Sequence, residues 1–271
     1  MLIVCIAQNI KWAVSISRYM QKKEIKLQVK KEGKKTKRSL SGFMKKGDQE
    51  QLHQFRVGIK KLRAVASLIE QTTALVHVRT ELKPIKQTYQ LSGQVRDSYL
   101  HVKLAKTLPT TDREYLSHEK LVMKKSARKL RKDRPHHYKM LRRAQGRLLK
   151  SIPKVKDKKI SQFYEMELLG IGGCLSSSTG DEQMHECRKR LKVLLYNLPL
   201  VAATLDIAVN KDYLQQVQSV IGDWHDHVLA AEQFSELGGK SEELMQEVKA
   251  LTEDFYGRAT TVAKMIVHKE A

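Results

Sequence analysis

An all-α fold containing a two-copy internal repeat follows from three features of this 271-residue sequence. Apolar residues recur at helical spacing along most of it, and no sustained alternation of the half-buried strand type appears. Five prolines, fourteen glycines and few aromatic residues, with abundant Leu, Lys, Gln and Ala, suit helices. One helical pattern also occurs twice, at residues 52–63 and again at 184–198.

The first copy reads L-H-Q-F-R-V-G-I-K-K-L-R. At about 100° per residue, Leu52, Phe55, Ile59, Leu62, Ala66 and Ile69 share one stripe, and His53, Arg56, Lys60 and Arg63 form a second stripe beside it. A solubilising helix scatters its cations over the outer face; this one aligns them at the edge of the buried surface. In the second copy Met184, Cys187, Leu191, Leu194 and Leu198 form the apolar stripe. His185, Arg188 and Lys192 repeat the offsets of His53, Arg56 and Lys60, and Leu195 stands where Arg63 stood, so this ladder is one rung short. Each copy is followed about forty residues later by a matching piece. These are L-S-G-Q-V-R-D, ending at Arg96-Asp97, and V-I-G-D-W-H-D, ending at His225-Asp226.

Taken in order, residues 1–31 read as one helix, with Ile3, Ile6, Ile10, Val14 and Met20 roughly in phase. Residues 30–38, K-K-E-G-K-K-T-K-R, read as a basic linker, and 40–46 as a short helical piece stopped by Gly47. Asp48 with Gln51 three on is a capping-box-like start for the first ladder helix, expected to run to about Val78. A helix over 81–108 ends at Pro109; Thr111 or Asp112 caps the next, to about Lys132; Pro135 opens another to Ser151. Beyond Pro153 come a helix over 158–175, a Ser-rich turn, and the second ladder helix, for which Thr179 and Glu182 repeat the start signal. Pro199 bends or ends it. Helices over 212–237 and 241–268 complete the chain. The expected division is therefore 1–39, an N-terminal helix and basic linker belonging to the first bundle, then 40–152 and 153–271 as the two repeats.

The four motifs, H-x-x-R-V-x-x-K-K-L-R, G-x-x-R-D, H-x-x-R-K-x-x-K with Tyr196 following, and G-x-W-H-D, resemble in their order the CHAD family, the conserved-histidine α-helical domain. The resemblance runs from about residue 40 onward. It implies two pseudo-symmetric helical bundles and binding of inorganic polyphosphate. Triphosphate tunnel enzymes, often fused to such domains, carry a strand-borne E-x-E-x-K; the E-x-E at Glu165 and Glu167 is followed by Leu-Leu on an apparent helix, so that catalytic partner is absent here.

The charge points to a polyanion. Net charge is +22, and residues 1–160 hold 41 Lys and Arg against 12 Asp and Glu, whereas 161–271 hold 10 against 17. Such a field recruits nucleic acid, an anionic membrane or polyphosphate. Guanidinium forks and mobile lysine charges suit phosphoryl oxygens, and cations at i, i+3, i+7 and i+10 suit a chain of them. The expected polyphosphate ligands are His53, Arg56, Lys60 and Arg63 with His185, Arg188 and Lys192, and the four-rung first ladder is expected to dominate. Lys61 and Lys189, pointing toward solvent, contribute less, and the basic faces holding Arg128 and Arg131, then Arg142 and Arg143, extend the surface. Histidines among phosphates favour the protonated form, so binding should weaken as pH rises through neutrality.

Other chemistries fit less well. Single-strand nucleic-acid binders interleave aromatics with cations, and neither ladder holds an exposed aromatic; contact with a nucleic-acid backbone is the second choice. His225-Asp226-His227 offers metal-ligand types, but neighbours on a helix diverge; Asp226, like Asp97, reads as a bond to a helix end or basic neighbour, and Trp224 as core. A phosphohistidine at His53 or His185, or a phosphohydrolase, lacks a carboxylate or metal partner nearby in sequence. No enzyme activity, metal or cofactor is expected. No stretch approaches the roughly 20 apolar residues that span a bilayer, and the opening seven residues make a poor signal peptide. Cys5, Cys174 and Cys187 read as reduced thiols, so a cytoplasmic protein is expected, possibly on polyphosphate granules.

Overall fold

The computed structural model describes residues 19–20, 22–75, 77–106, 113–177, 181–233 and 239–260. Among these the architecture is helical, with one two-residue strand pair, β1 (Tyr19–Met20) antiparallel to β2 (Val155–Lys156). The helices, in order, are α1 (Lys22–Lys46), α2 (Gln49–Thr72), α3 (Lys86–Ala105), α4 (Arg113–Lys132), α5 (Arg134–Ser151), α6 (Asp157–Ser177), α7 (Asp181–Val201), α8 (Lys211–Gln233), α9 (Gly239–Thr252) and α10 (Phe255–Thr260). Short 3-10 segments cover Val78–Ile85 and Ala202–Thr204. Most of the helix expected over 1–31, and the caps proposed at Thr111, Asp112 and Thr179, lie outside the described residues.

The supposed linker is helical. Residues 30–38 lie within α1, whose buried side runs Ile25, Val29, Glu32, Gly33, Thr36, Leu40, Phe43 and Met44. The cations between these positions occupy the outer face, so a charge run that reads as a loop is a solvated helix flank. Gly33 lies against Gln145 of α5, whose Nε2 donates to the Val29 carbonyl at 3.2 Å. Gly47 ends α1 as expected, with φ +73 in the region that favours glycine. Asp48 then caps α2, its Oδ1 accepting from the Glu50 and Gln51 amides at 2.8 and 3.3 Å.

Several boundaries differ from expectation. The first ladder helix stops at Thr72, and residues 78–85 form a 3-10 turn around Pro84, which lacks the donor an α-helix needs there. α7 ends two residues beyond Pro199, and the last expected helix breaks between α9 and α10 at Asp254, φ 46.

α1 packs along α2, α3 along α4, and α8 on α9; α7 contacts α6, α8 and, centrally, α2. One core is shared by both parts of the chain: Phe43, Leu52, Phe55, Ile59 and Leu62 belong to the same cluster as Tyr164, Leu168, Leu191, Leu194 and Trp224. Fully burying side chains of this size contributes about 1.5–3 kcal/mol each. At the α2–α7 contact the buried Asn197 donates from Nδ2 to the Ala64 carbonyl at 2.9 Å. Tyr164 holds α6 to α7 through its hydroxyl, which donates to the Leu194 carbonyl at 2.9 Å.

The cysteines correct the sequence reading. Cys174 on α6 and Cys187 on α7 form a disulfide, with Cα atoms 6.4 Å apart. Their separation of 13 residues places them side by side once the chain doubles back between the two helices. With two of the three thiols paired, reduced cysteines no longer argue for a cytoplasmic protein. Cys5 lies outside the described residues.

Candidate functional site

The packing of α2 on α7 decides where the two ladders go. Each buries its apolar stripe, leaving His53, Arg56, Lys60 and Arg63 on one helix and His185, Arg188 and Lys192 on the other half-buried at its edge. Lys60 and Arg63 converge with His185, Arg188 and Lys192 on one cavity of about 700 Å³. Lys189 reaches its wall, paired with Glu186 at 2.9 Å. Among the described residues, no carboxylate lies within 4.0 Å of Lys60, Arg63 or Lys192.

That crowding sets the electrostatics. Burial, then Arg56, Arg188 and Arg63, lowers the Lys60 pKa, while Asp97 opposes the shift. Burial, then Arg188 and Lys60, pushes Lys192 down to about 8 against the opposing pull of Asp226. Burial, and after it the cations of both ladders, thus disfavour the charged form of each lysine, which marks a crowding of positive charge between the helices. His53 is lowered by burial and next by Arg96; His185 by burial and next by His225. In the free protein both imidazoles therefore titrate below 6.5, at lower pH than the sequence suggested.

The two arginines are held differently. Arg56 donates from Nη1 to the Tyr89 carbonyl at 3.2 Å, and its guanidinium lies 4.7 Å from the centre of the Tyr89 ring, which Arg63 approaches to 4.2 Å. Arg188, with its side chain 17% exposed, has Asp226 at 4.0 Å, as the basic-neighbour reading of that aspartate anticipated; its Nε is buried with no hydrogen-bond partner among the described residues. Glycine makes room for both. A Cβ on Gly93 would sit 2.7 Å from an Arg56 nitrogen, and one on Gly222 would sit 2.5 Å from an Arg188 nitrogen. These glycines belong to the second motif of each pair, which explains why the motifs travel together.

The remaining predicted residues are dispersed. Lys61 turns to the buried Glu32, 3.9 Å away on α1. Arg128 and Arg131 do not extend the ladder cavity; they line a separate one of about 680 Å³ with Phe43 and Lys124. Arg142 lines a third, about 340 Å³, with Lys30, Lys34 and Lys37, and the exposed Arg143 lines none of these. α4 and α5 carry their cations on faces set by their own packing. Conversely, residues not singled out as ligands come to the site. Tyr89, Phe163 and Tyr196 line the cavity, Arg96 faces His53, and His225 lies against His185 with ring centres 4.6 Å apart and ring planes tilted by 44°. For Arg96 and His225 the signal was present: the two second motifs align them with each other. Trp224 is core, as expected, and His227 points elsewhere, its Nδ1 2.8 Å from the Asp223 carbonyl. Among the described residues no three His, Cys, Asp or Glu side chains are grouped to hold a metal ion.

Residues 34–235, from within α1 to just past α8, match the profile of the CHAD domain and include both ladders and both of their partner motifs. The chain belongs to the CHAD family. Its fold is similar to the crystal structure of the CHAD domain from the plant Ricinus communis, with a TM-score of 0.60 and 19% identity over 87% of this chain and 86% of that one. At that identity the likeness concerns the all-helical fold. No curated protein matches the sequence. Among the described residues of this CHAD domain, no helix is long and apolar enough to cross a membrane.

Proposed function

We propose that the α2–α7 cavity binds inorganic polyphosphate without turning it over. The observation that supports this reading is the convergence of Lys60, Arg63, Arg188 and Lys192, from two helices, on one cavity of about 700 Å³. The carboxylates of the lining, Glu167 and Glu186, pair with Arg190 and Lys189, and the crowded cations beside them gain most from a ligand carrying several negative charges in a row. Lys60, Arg63, Arg188 and Lys192 are the principal contacts, His185 and Lys189 add to the same lining, and His53 and Arg56 lie at its periphery. A protein doing this work in a cell concentrates where polyphosphate does, in cytoplasmic granules.

The test is titration with long-chain polyphosphate over a range of salt, with phosphate release followed in parallel. Log affinity falls linearly and steeply with log salt, as for other polyanions. Pyrophosphate, spanning few cations, binds far more weakly, and no phosphate is released. Equal affinity for pyrophosphate and the long chain would identify a small-molecule pocket instead. Because Tyr89, Phe163 and Tyr196 bring aromatic surface to the cavity, single-stranded DNA belongs in the same titration. Tighter binding of DNA than of polyphosphate at one salt concentration would transfer the site to nucleic acid.

A further inference from the structure

His185 and His225 form a pair that a phosphate chain's interior does not need. Their rings lie 4.6 Å apart, from α7 and α8. The Nδ1 atoms of both are buried with no hydrogen-bond partner among the described residues, as is Nε of the adjoining Arg188. Burial, and after it His225 for His185 and Arg188 for His225, hold both imidazoles below their ordinary pKa, so the surroundings favour the neutral forms of the pair. The charged and titratable groups around it are Arg188, Lys189, Lys192 and Glu186 on α7, with Asp226 on α8 and Asp181 at the start of α7. At the matching motif position beside His53 stands Arg96, a permanent cation whose Nη1 donates to the Gln49 carbonyl at 3.4 Å.

The difference matters because phosphoryl groups within a chain and at its ends are chemically unlike. An interior group carries one strongly acidic oxygen and can only accept hydrogen bonds near neutral pH. An end group has a second ionisation near pH ~6, as in phosphate monoesters, so it alone can donate from P–OH or take up a proton. A neutral imidazole presents one acceptor nitrogen and one donor. Two of them beside a guanidinium match a group that both donates and accepts; Arg96 and His53 favour a group that only accepts.

We propose that His185, His225 and Arg188 form a subsite for the terminal phosphoryl group of a phosphate chain, so that the ligand enters the cavity end-first from the α7–α8 side. The proton is shared between the end group and the imidazole pair, with no bond to phosphorus made or broken. This rests on the polyphosphate reading above and adds a polarity to it.

The experiment compares a linear oligophosphate having free ends with the same oligomer capped at both ends as methyl esters. Binding is measured at pH ~6, where the free end holds its second proton about half of the time and differs from the capped one by about half a charge. The free-ended oligomer binds about tenfold more tightly, as loss of one hydrogen bond to a charged partner implies. His225→Arg, which installs the residue of the matching motif, binds both oligomers and abolishes the preference. Independently of any variant, imidazole NMR signals of His185 and His225 shift with the free-ended oligomer and not with the capped one. Equal affinity of the two oligomers for the native chain, or a preference that survives His225→Arg, overturns the proposal. Failure of both oligomers and of long-chain polyphosphate to bind removes the function on which it rests.

Discussion

Arg56 and Arg188 hold the same place in their two helices and are engaged differently. Arg56 is tied to the Tyr89 carbonyl and lies over the Tyr89 ring, outside the lining of the cavity. Arg188 lines the cavity with its Nε unpartnered and a single carboxylate at 4.0 Å. One arginine braces α2 against α3; its counterpart is held ready for a ligand. A shared sequence pattern thus fixes where a side chain stands without fixing what it is free to bind. For the proposed binding this difference favours α7, whereas the charge totals favour the cation-rich first half.

The largest predicted effect tests that difference. Arg188→Ala should weaken polyphosphate binding about ten- to hundredfold, the range for a charge-assisted contact, with little change in melting temperature. Arg56→Ala should weaken binding less and lower stability by about 1 kcal/mol, read by thermal melts, as a partly exposed hydrogen bond and ring contact are lost. Greater loss of binding from Arg56→Ala would restore the first ladder to dominance.

A second measurement leaves every charge in place. Gly222→Ala puts a methyl group where Arg188 now passes, and Gly93→Ala does the same to Arg56. Since the obstructing atoms are far ends of flexible side chains, both variants should fold. Gly222→Ala should reduce affinity about tenfold by displacing a contact worth one charged hydrogen bond, and Gly93→Ala should do so to a smaller extent.

Next in size is the response to alkaline pH. Lys192 has its pKa depressed to about 8 in the free protein, so it is charged below that pH and neutral above it. A bound phosphate chain favours the charged form, and binding above pH 8 must therefore take up a proton. Affinity should fall as pH rises through about 8, by at most about tenfold per pH unit for one proton. Lys192→Arg, which stays protonated, should flatten the curve. An unchanged slope in that variant would place the titration elsewhere.

The smallest effect concerns the missing rung. Leu195 is partly buried against the core and does not line the cavity, though Val193 and Tyr196 do. Leu195→Arg should leave affinity within about twofold, since a cation placed away from the ligand and exposed to water contributes little. A clear gain would show that the chain runs further along α7 than the cavity suggests.

These outcomes bear on what was legible in the sequence. The apolar stripes of α2 and α7 and the cations beside them were readable because helical periodicity is local: Leu52, Phe55, Ile59 and Leu62 are buried as their spacing required. The cap at Asp48 and the stop at Gly47 were readable for the same reason. Residues 30–38 were misread because Glu32 and Gly33, which look like loop residues, are buried by partners distant in sequence: Lys61 for Glu32 and Gln145 for Gly33. Charge totals misled in a similar way. Arg128, Arg131 and Arg142 count toward the positive half, yet their helices turn them to other cavities. Tyr89 and Phe163 come to the site from α3 and α6, and no spacing within one helix reports a neighbour supplied by another.

Asn197 sits at the crossing of the two ladder helices, where its amide reaches the Ala64 carbonyl of α2. A single buried polar bond between helices fixes their register, and sliding by one turn would shift α7 by about 5.4 Å. Lys60 and Lys192 therefore face one another at a spacing held by a side chain four or five positions further along each helix. The amide works as a ruler: it lies outside the cavity lining, yet it sets the interval between the cations that the proposed phosphate chain would have to match.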